Sequence, residues 1–281
     1  MLYIELLKIL LLGVVEGITE WLPISSTGHL LLLDRLFPLA LRDDFKEMFF
    51  VVIQLGAILS VLIYFWKELF PFHLKKTGKW KLNADMGALS LWGKVLLACL
   101  PAGLLGLLLD DFLETYLHTP LMIALMLIGY GAAFIWVENH PRPTSISSLE
   151  ALPPLQALGI GLFQTLALIP GTSRSGATIL GALLLGVSRP VGAKFSFFLA
   201  IPVMIGASGV KLIKFFLQGG GFLGWELFYL LFGGGIAFLV SLLTIRFLMR
   251  FVEKHNFKGF GWYRILLGGL VILTLVIPTL L

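Results

Sequence analysis

Charged residues are scarce in this chain. Lysine, arginine, aspartate and glutamate make up 13% of its 281 residues, whereas 58% of the residues are hydrophobic. A soluble domain carries roughly twice that share of charge. The composition therefore excludes an ordinary soluble domain and indicates an integral membrane protein.

Cysteine is almost absent as well. Cys99 is the single cysteine, which excludes an intrachain disulfide and any site built from several cysteines. A basic segment and a small-residue cleavage site are also missing after Met1, so we expect the apolar N-terminus to be retained. The net charge of +5 lies mainly in short loops, which indicates contacts with lipid headgroups and no nucleic acid partner.

Long apolar runs, in contrast, are plentiful. A membrane-spanning helix needs about 20 apolar residues. Six segments meet this length and are predicted to span the membrane: Met48–Trp66, Met86–Leu109, Leu121–Val137, Phe195–Leu217, Leu227–Leu248 and Tyr263–Leu281.

Two further apolar regions are interrupted by polar turns. Leu6–Val15 is followed by a polar stretch before Leu30–Leu36, and Leu155–Ile169 is followed by another before Ile179–Val187. A break at membrane depth is tolerated only where it lines a cavity or is buried in protein. We predict that both regions are re-entrant helical hairpins.

Loop charges orient these elements. The lysine-rich segment Lys67–Lys81 is predicted to be cytoplasmic. The connection Glu138–Pro154 then lies inside and Gln218–Glu226 outside. The first hairpin would open to the outside and the second to the cytoplasm, so that their tips meet.

The two hairpins resemble each other. A shift of 148 residues places Glu16 on Gln164 and Thr27-Gly28 on Ser175-Gly176. We predict an all-α membrane protein of one domain, residues 1–281, whose halves, roughly 1–117 and 150–281, form an inverted-topology repeat with a site at their interface.

The second polar turn, Pro170–Thr178, contains hydroxyl groups, glycines and one arginine between apolar segments. Arg174 is costly in such surroundings unless an anion lies against it. A guanidinium, hydroxyls and free backbone N–H groups are what a phosphate requires. A snorkelling interfacial arginine would leave the neighbouring Ser173 and Ser175 unexplained.

The first polar turn supplies carboxylates. Glu16 and Glu20 are four residues apart and so share one face of a helix. Two acids this close in an apolar region repel each other unless a cation joins them, and oxygen-rich sites suit Mg²⁺ or Ca²⁺. The alternative is a helix end at the interface with two solvated acids.

Three hydroxyl residues and a histidine follow. One hydroxyl among Ser25, Ser26 and Thr27 suffices to cap the next helix. The spare hydroxyls and the imidazole of His29 could serve as nucleophile and base if they come within hydrogen-bond distance.

The segment EGITEWLPISSTGH at residues 16–29 and the segment PGTSRSGAT at residues 170–178 closely resemble the bacterial undecaprenyl-diphosphate phosphatase family of the bacitracin-resistance type. The resemblance extends over essentially the whole chain. It implies hydrolysis of undecaprenyl diphosphate to the monophosphate carrier of cell-wall synthesis. It also implies a divalent metal, a multi-pass location in the bacterial plasma membrane, and an active site towards the periplasmic or outer face.

The resemblance assigns roles to the polar residues. Glu16 and Glu20 would hold the metal and the diphosphate, and Arg174 would bind the phosphate. Ser26 as a nucleophile activated by His29 is favoured over metal-activated water with His29 as base or acid. The full set predicted to bind substrate is Glu16, Ser25, Thr27, Gly171, Ser173, Arg174, Ser175 and Thr178, and the set predicted to be catalytic is Ser26, His29, Glu20 and Arg174.

A transporter is the alternative function. An inverted repeat with broken helices is typical of secondary transporters, so a flippase for undecaprenyl phosphate is also compatible with the sequence. The carboxylate pair and the serine–histidine cluster favour the enzyme, because a carrier needs no nucleophile. The expected partners are the polyprenyl diphosphate substrate and membrane lipids, and a homo-oligomer is compatible with the sequence.

Overall fold

The computed structural model describes residues 2–77 and 79–279. The regular structure of the described residues is helical apart from one short β-hairpin, with π-helical turns at Leu113–Leu117 and Ile272–Val276 and 3-10 turns at Leu166–Leu168 and Ile277–Thr279. The helices are α1 (Leu2–Thr19), α2 (Ser26–Leu36), α3 (Asp43–Val52), α4 (Gln54–Tyr64), α5 (Trp66–Leu69), α6 (Met86–Phe112), α7 (Pro120–Asn139), α8 (Pro154–Thr165), α9 (Arg174–Leu184), α10 (Arg189–Leu217), α11 (Glu226–Lys254) and α12 (Lys258–Val271).

Six helical stretches within the described residues are long and apolar enough to cross a membrane, which confirms the predicted number. They are Asp43–Tyr64, Met86–Leu109, Pro120–Asn139, Arg189–Leu217, Glu226–Lys254 and Lys258–Val276. Several begin earlier than the apolar runs do, because a helix needs a start signal as well as apolar residues. Pro120 opens α7 behind Thr119, whose hydroxyl accepts from the Met122 N–H at 3.2 Å.

The lysine-rich segment forms the β-hairpin. Strands β1 (Phe72–Thr77) and β2 (Lys79–Ala84) pair antiparallel, with Phe72 opposite Ala84. The sequence predicted a loop at this place and no strands.

Small residues allow the long helices to approach closely. α1 packs along α11, and α8 packs along α6. A Cβ added to Gly13 would lie 2.9 Å from the Gly233 carbonyl oxygen, and one added to Gly161 would lie 2.1 Å from that of Ala98. Close backbone contact of this kind drives helix association where no hydrophobic effect operates.

The interior is rich in aromatic rings. Trp21, Phe195, Phe197 and Phe198 are buried, and the Trp21 and Phe197 rings meet edge to face with centroids 5.2 Å apart. Many leucines, in contrast, are exposed on the helices, such as Leu243 at 71%. Apolar residues on the outside and a packed centre are what a lipid environment demands, and the two polar turns lie against this centre.

Candidate active site

The first polar turn joins α1 to α2. Ser25 has a backbone φ of 72° and caps α2, because its hydroxyl accepts from the Gly28 N–H at 3.4 Å. The left-handed backbone costs a residue with a Cβ roughly 1–2 kcal/mol. The turn therefore holds Ser25 in a strained conformation, which is common at functional sites.

The second polar turn joins α8 to α9 with the same geometry. Ser173 has a φ of 71°, and its hydroxyl accepts from the Gly176 N–H at 3.1 Å. Ser25 and Ser173 are the two non-glycine residues with positive φ in the described part of the chain. They are 148 residues apart, the same interval that relates the two polar segments in sequence.

Glu20 joins the two turns. One carboxylate oxygen accepts from the Ser26 hydroxyl at 2.8 Å, and the other accepts from the Arg174 guanidinium at 2.9 Å. The side chains of Arg174 and Glu20 are only 11% and 8% exposed. The structure thus brings together the turns that the sequence predicted to meet, with a paired charge at their centre.

Arg174 is fixed on several sides. Its guanidinium also donates to the Ser196 carbonyl of α10 at 2.7 Å and lies 5.6 Å from the centre of the Trp21 ring. The Nε atom of Arg174 is buried and has no hydrogen-bond partner among the described residues. This donor is therefore satisfied by no group of the described protein.

Glu16 is fully buried beside this pair. Both of its carboxylate oxygens are without a hydrogen-bond partner in the described part of the chain. Glu20 and Arg174 are close enough to interact with it electrostatically. Buried acceptors that no protein donor satisfies suit a cation. Among the described residues, however, no three or more His, Cys, Asp or Glu side chains are grouped so that they could hold a metal ion by themselves. Glu16 and Glu20 could hold a metal only if substrate oxygens or water completed the shell.

His29 does not pair with Ser26 as predicted. Its Nδ1 lies 2.7 Å from the Ser25 carbonyl oxygen, and its Nε2 lies 2.7 Å from the Tyr263 hydroxyl. The bond back to Ser25, one helical turn earlier, directs the ring towards α12. The hydrogen-bond partner of the Ser26 hydroxyl is Glu20 instead.

Other predicted ligands form the framework of the turns. The Ser175 hydroxyl donates to the Glu20 or Leu22 carbonyl at 3.1 or 3.2 Å. The Thr178 hydroxyl bonds to the Arg174 carbonyl at 2.9 Å and is buried. As substrate ligands both stay predictions, since their hydroxyls have partners within the protein.

Gly171 and Thr27 complete the predicted set. Gly171 has a φ of 90°, and a Cβ there would lie 2.5 Å from the Ile123 carbonyl oxygen, so glycine is required. Thr27 is exposed, and its hydroxyl makes no hydrogen bond to another described residue. Both therefore also stay predictions as ligands.

Arg264 is a residue of the site that the sequence analysis missed. Its fully buried guanidinium donates to the carbonyls of Gly171 and Thr172 at 2.9 Å each, in the second turn, and to that of Pro23 at 3.2 Å, in the first. It therefore ties the two turns to α12. A charge inside a predicted membrane span was a signal for it.

The chain is similar throughout to known proteins. A family model described as "Bacitracin resistance protein BacA" matches residues 9–270. An undecaprenyl-diphosphatase of Enterococcus faecalis is 55% identical over 96% of this chain and 97% of the relative. One from Desulfitobacterium hafniense is 50% identical over 97% of each chain, and one from Acetivibrio thermocellus is 50% identical over 96% of this chain and 97% of the relative.

Proposed function

The chain belongs to the BacA family of bacitracin resistance proteins and is an undecaprenyl-diphosphatase, and from this premise we propose that hydrolysis takes place where Glu20 joins the two turns. The observation that carries the proposal is that the Glu20 carboxylate accepts hydrogen bonds from Ser26 of the first turn and from Arg174 of the second. The relatives are named for hydrolysis, which favours the enzyme over a flippase.

Arg174 binds the terminal phosphate in this proposal. A guanidinium offers several donors in a fixed plane and matches phosphate oxygens. The substrate phosphate takes the place that the Glu20 oxygen holds at 2.9 Å, and the buried Nε supplies a further donor. Ser25 and Ser173 present the first turns of α2 and α9, whose N–H groups favour an anion.

Ser26 is the favoured nucleophile. Its hydroxyl already donates to Glu20, so the carboxylate can take the proton as the serine oxygen attacks the terminal phosphorus. The bond from phosphorus to the bridging oxygen breaks, undecaprenyl phosphate leaves, and water then hydrolyses the phosphoserine. His29 exchanges a proton with the leaving or attacking oxygen. Direct attack by water, with His29 as base, is the alternative.

Glu16 and Glu20 would hold a divalent metal. The unsatisfied oxygens of Glu16 fit this role, and Mg²⁺ and Ca²⁺ both prefer oxygen ligands. Such an ion would neutralise the diphosphate and polarise its phosphoryl oxygens.

The two interrupted regions are proposed to be re-entrant hairpins of an inverted repeat. The similar caps at Ser25 and Ser173 support this. The helix packing supports it as well, because α1 of the first half packs on α11 of the second, and α8 of the second half packs on α6 of the first. α7 and α12 pack on each other with Gly131 and Gly261 in reciprocal contact, so we include α7 in the first half. With the lysine-rich hairpin inside, the site would open to the outer face.

Removal of Arg174 tests the proposal. We expect Arg174→Ala to lower phosphate release from undecaprenyl diphosphate by a factor equivalent to about 2–4 kcal/mol, as for loss of a strong donor to developing charge. Arg174→Lys should recover little, since one ammonium cannot reproduce the planar fork. The assay uses purified protein in detergent, where transport cannot contribute.

Arg42→Ala is the matched control. Arg42 also forms an ion pair, with Glu226 at 3.0 Å, and donates to the Gly221 carbonyl, away from both turns. It should retain the wild-type rate. Wild-type turnover in Arg174→Ala would remove Arg174 from the site and reject the proposal.

A further inference from the structure

We infer that Tyr263 is a positioning residue of the active site, which holds the imidazole of His29 through its hydroxyl group. The inference rests on the proposed function, in which His29 exchanges a proton. Tyr263 is 234 residues from His29 in sequence, and its position in an apolar helix gave no indication of the contact.

Two contacts define the relation of the rings. The Tyr263 hydroxyl lies 2.7 Å from His29 Nε2. The two rings are also nearly parallel, with planes inclined by only 8° and centroids 5.6 Å apart. A hydrogen bond between nearly parallel rings limits both the tilt and the rotation of the imidazole.

The partner of the other ring nitrogen fixes the tautomer. The Ser25 carbonyl oxygen, 2.7 Å from Nδ1, can only accept, so Nδ1 must carry a hydrogen. Nε2 of the neutral ring then has a lone pair, which accepts from Tyr263. Nε2 is therefore the nitrogen at which His29 gains or loses its proton.

A hydroxyl group suits this nitrogen in both charge states. It donates to Nε2 of the neutral ring and, after rotation about its C–O bond, accepts from Nε2–H of the imidazolium. Tyr263 can thus hold the ring before and after proton transfer. Because Nε2 has a single lone pair, the reacting oxygen takes the place of the Tyr263 hydroxyl while the proton passes. The ring need not turn during the reaction.

The neighbouring residue anchors Tyr263. Arg264 donates to carbonyls of both turns and is fully buried. The backbone of α12 is therefore fixed against the turn that precedes His29. The tyrosine hydroxyl is placed by the same helix that ties the two turns together.

Tyr263→Phe removes the hydroxyl and keeps the ring. We expect kcat to fall about tenfold, as for loss of one hydrogen bond in the reacting geometry, with KM nearly unchanged because substrate contacts remain. Tyr64→Phe is the matched control, since Tyr64 is 42% exposed against 44% for Tyr263 and lies against Phe65, away from the turns. It should retain the wild-type kcat.

A double-mutant cycle with His29→Gln separates the possible results. If Tyr263 acts through His29, Tyr263→Phe should not slow the His29→Gln enzyme further. An equal loss in both backgrounds, or a wild-type kcat in Tyr263→Phe, would overturn the inference. A wild-type rate in His29→Gln would instead reject the proposed role of His29, whereas the Arg174 variants test the location of the site independently. Thermal unfolding of each variant shows whether the fold is retained.

Discussion

Glu16 shows how a single buried charged residue in an apolar region can point to a functional site. Burial of a carboxylate without a donor or a cation costs several kcal/mol, yet both of its oxygens are unsatisfied within the described residues. Glu20, in contrast, forms an ion pair with Arg174. An ionised Glu16 would give the site a local excess of negative charge, which a cation would balance.

A chelator should abolish hydrolysis, and added Mg²⁺ or Ca²⁺ should restore it. Because an ion that binds only the folded state stabilises it, metal should also raise the thermal midpoint of the wild type. Glu16→Gln should lose this metal-dependent rise and should be the more stable protein in chelator, since a neutral amide is easier to bury than an unpaired acid.

Glu47→Gln is the control for this experiment, because the Glu47 side chain is 65% exposed and pairs with Lys211 at the surface. Its metal response should equal that of the wild type. Full activity in chelator, or a metal-dependent rise that persists in Glu16→Gln, would exclude Glu16 as a metal ligand.

Sequence reasoning at this scale found the residues but not all of their partners. Glu20 and Arg174 were identified because charge is expensive in an apolar segment. The predicted hydrogen bond between His29 and Ser26 was wrong, because the ring nitrogens of His29 bond to the Ser25 carbonyl and the Tyr263 hydroxyl instead. A contact between residues 29 and 263 depends on tertiary packing, which the local sequence does not specify. Arg264 was detectable by the same charge argument that identified Arg174.

At the scale of elements, the two helix starts after the breaks share one device. Ser25 and Ser173 each combine a positive φ with a side-chain cap. The serine hydroxyl satisfies an N–H of the first turn, and the left-handed backbone directs the new helix back from the break. The cap was predictable from the residue types, whereas the strained backbone was not.

Substitutions of Ser173 separate the cap from the strain. Ser173→Ala should lower the free energy of unfolding by about 1 kcal/mol, because the cap is lost and the strain stays. Ser173→Gly should be closer to the wild type, since glycine adopts positive φ freely and is a fair cap. Thermal unfolding in detergent measures both.

Ser188 provides the control at the start of α10. Its φ is −61° and its side chain makes no capping hydrogen bond. There the advantage of glycine over alanine should be smaller than at position 173, because a φ of −61° strains neither residue and glycine costs entropy in the unfolded chain. If the advantage of glycine over alanine were no larger at position 173 than at position 188, the strained cap would not govern the start of α9.

The starts of the membrane-spanning helices were predicted less accurately than their number. Hydropathy located six spans, but α10 begins at Arg189, six positions before the predicted Phe195. Hydropathy identifies the residues that are apolar enough to lie in lipid. The start of α10, in contrast, is set by Pro190, whose ring fixes the backbone in the first turn of the helix.

At the scale of the whole molecule, the pairing of helices explains why the site is shared. α1 and α8 each pack on a helix from the other half of the chain, so both halves hold each break in place. The sequence predicted that the turns meet, from loop charges and a 148-residue shift. It did not predict that α12 would hold both turns, because the presence of Arg264 in an apolar segment does not indicate which groups its side chain contacts.

The last prediction concerns the path of the chain across the membrane. A re-entrant hairpin returns to the side from which it entered, whereas an interrupted span crosses. Single cysteines can be introduced in a Cys99→Ser background and labelled with an impermeant maleimide on intact cells. If α8 and α9 are re-entrant, only α10 crosses between positions 147 and 218. Gln218→Cys should then label from outside, and Ser147→Cys only after permeabilisation.

The first hairpin gives the matched test. Tyr3 lies at the start of α1 and is 81% exposed, and Asp43 begins α3 with a side chain 98% exposed. Tyr3→Cys and Asp43→Cys should both label from outside if α1 and α2 are re-entrant. Opposite labelling of these two, or same-sided labelling of positions 147 and 218, would make the corresponding break an interrupted span. Two crossings of that kind would keep the turns in contact but would remove the inverted repeat, since the halves would then no longer enter from opposite faces.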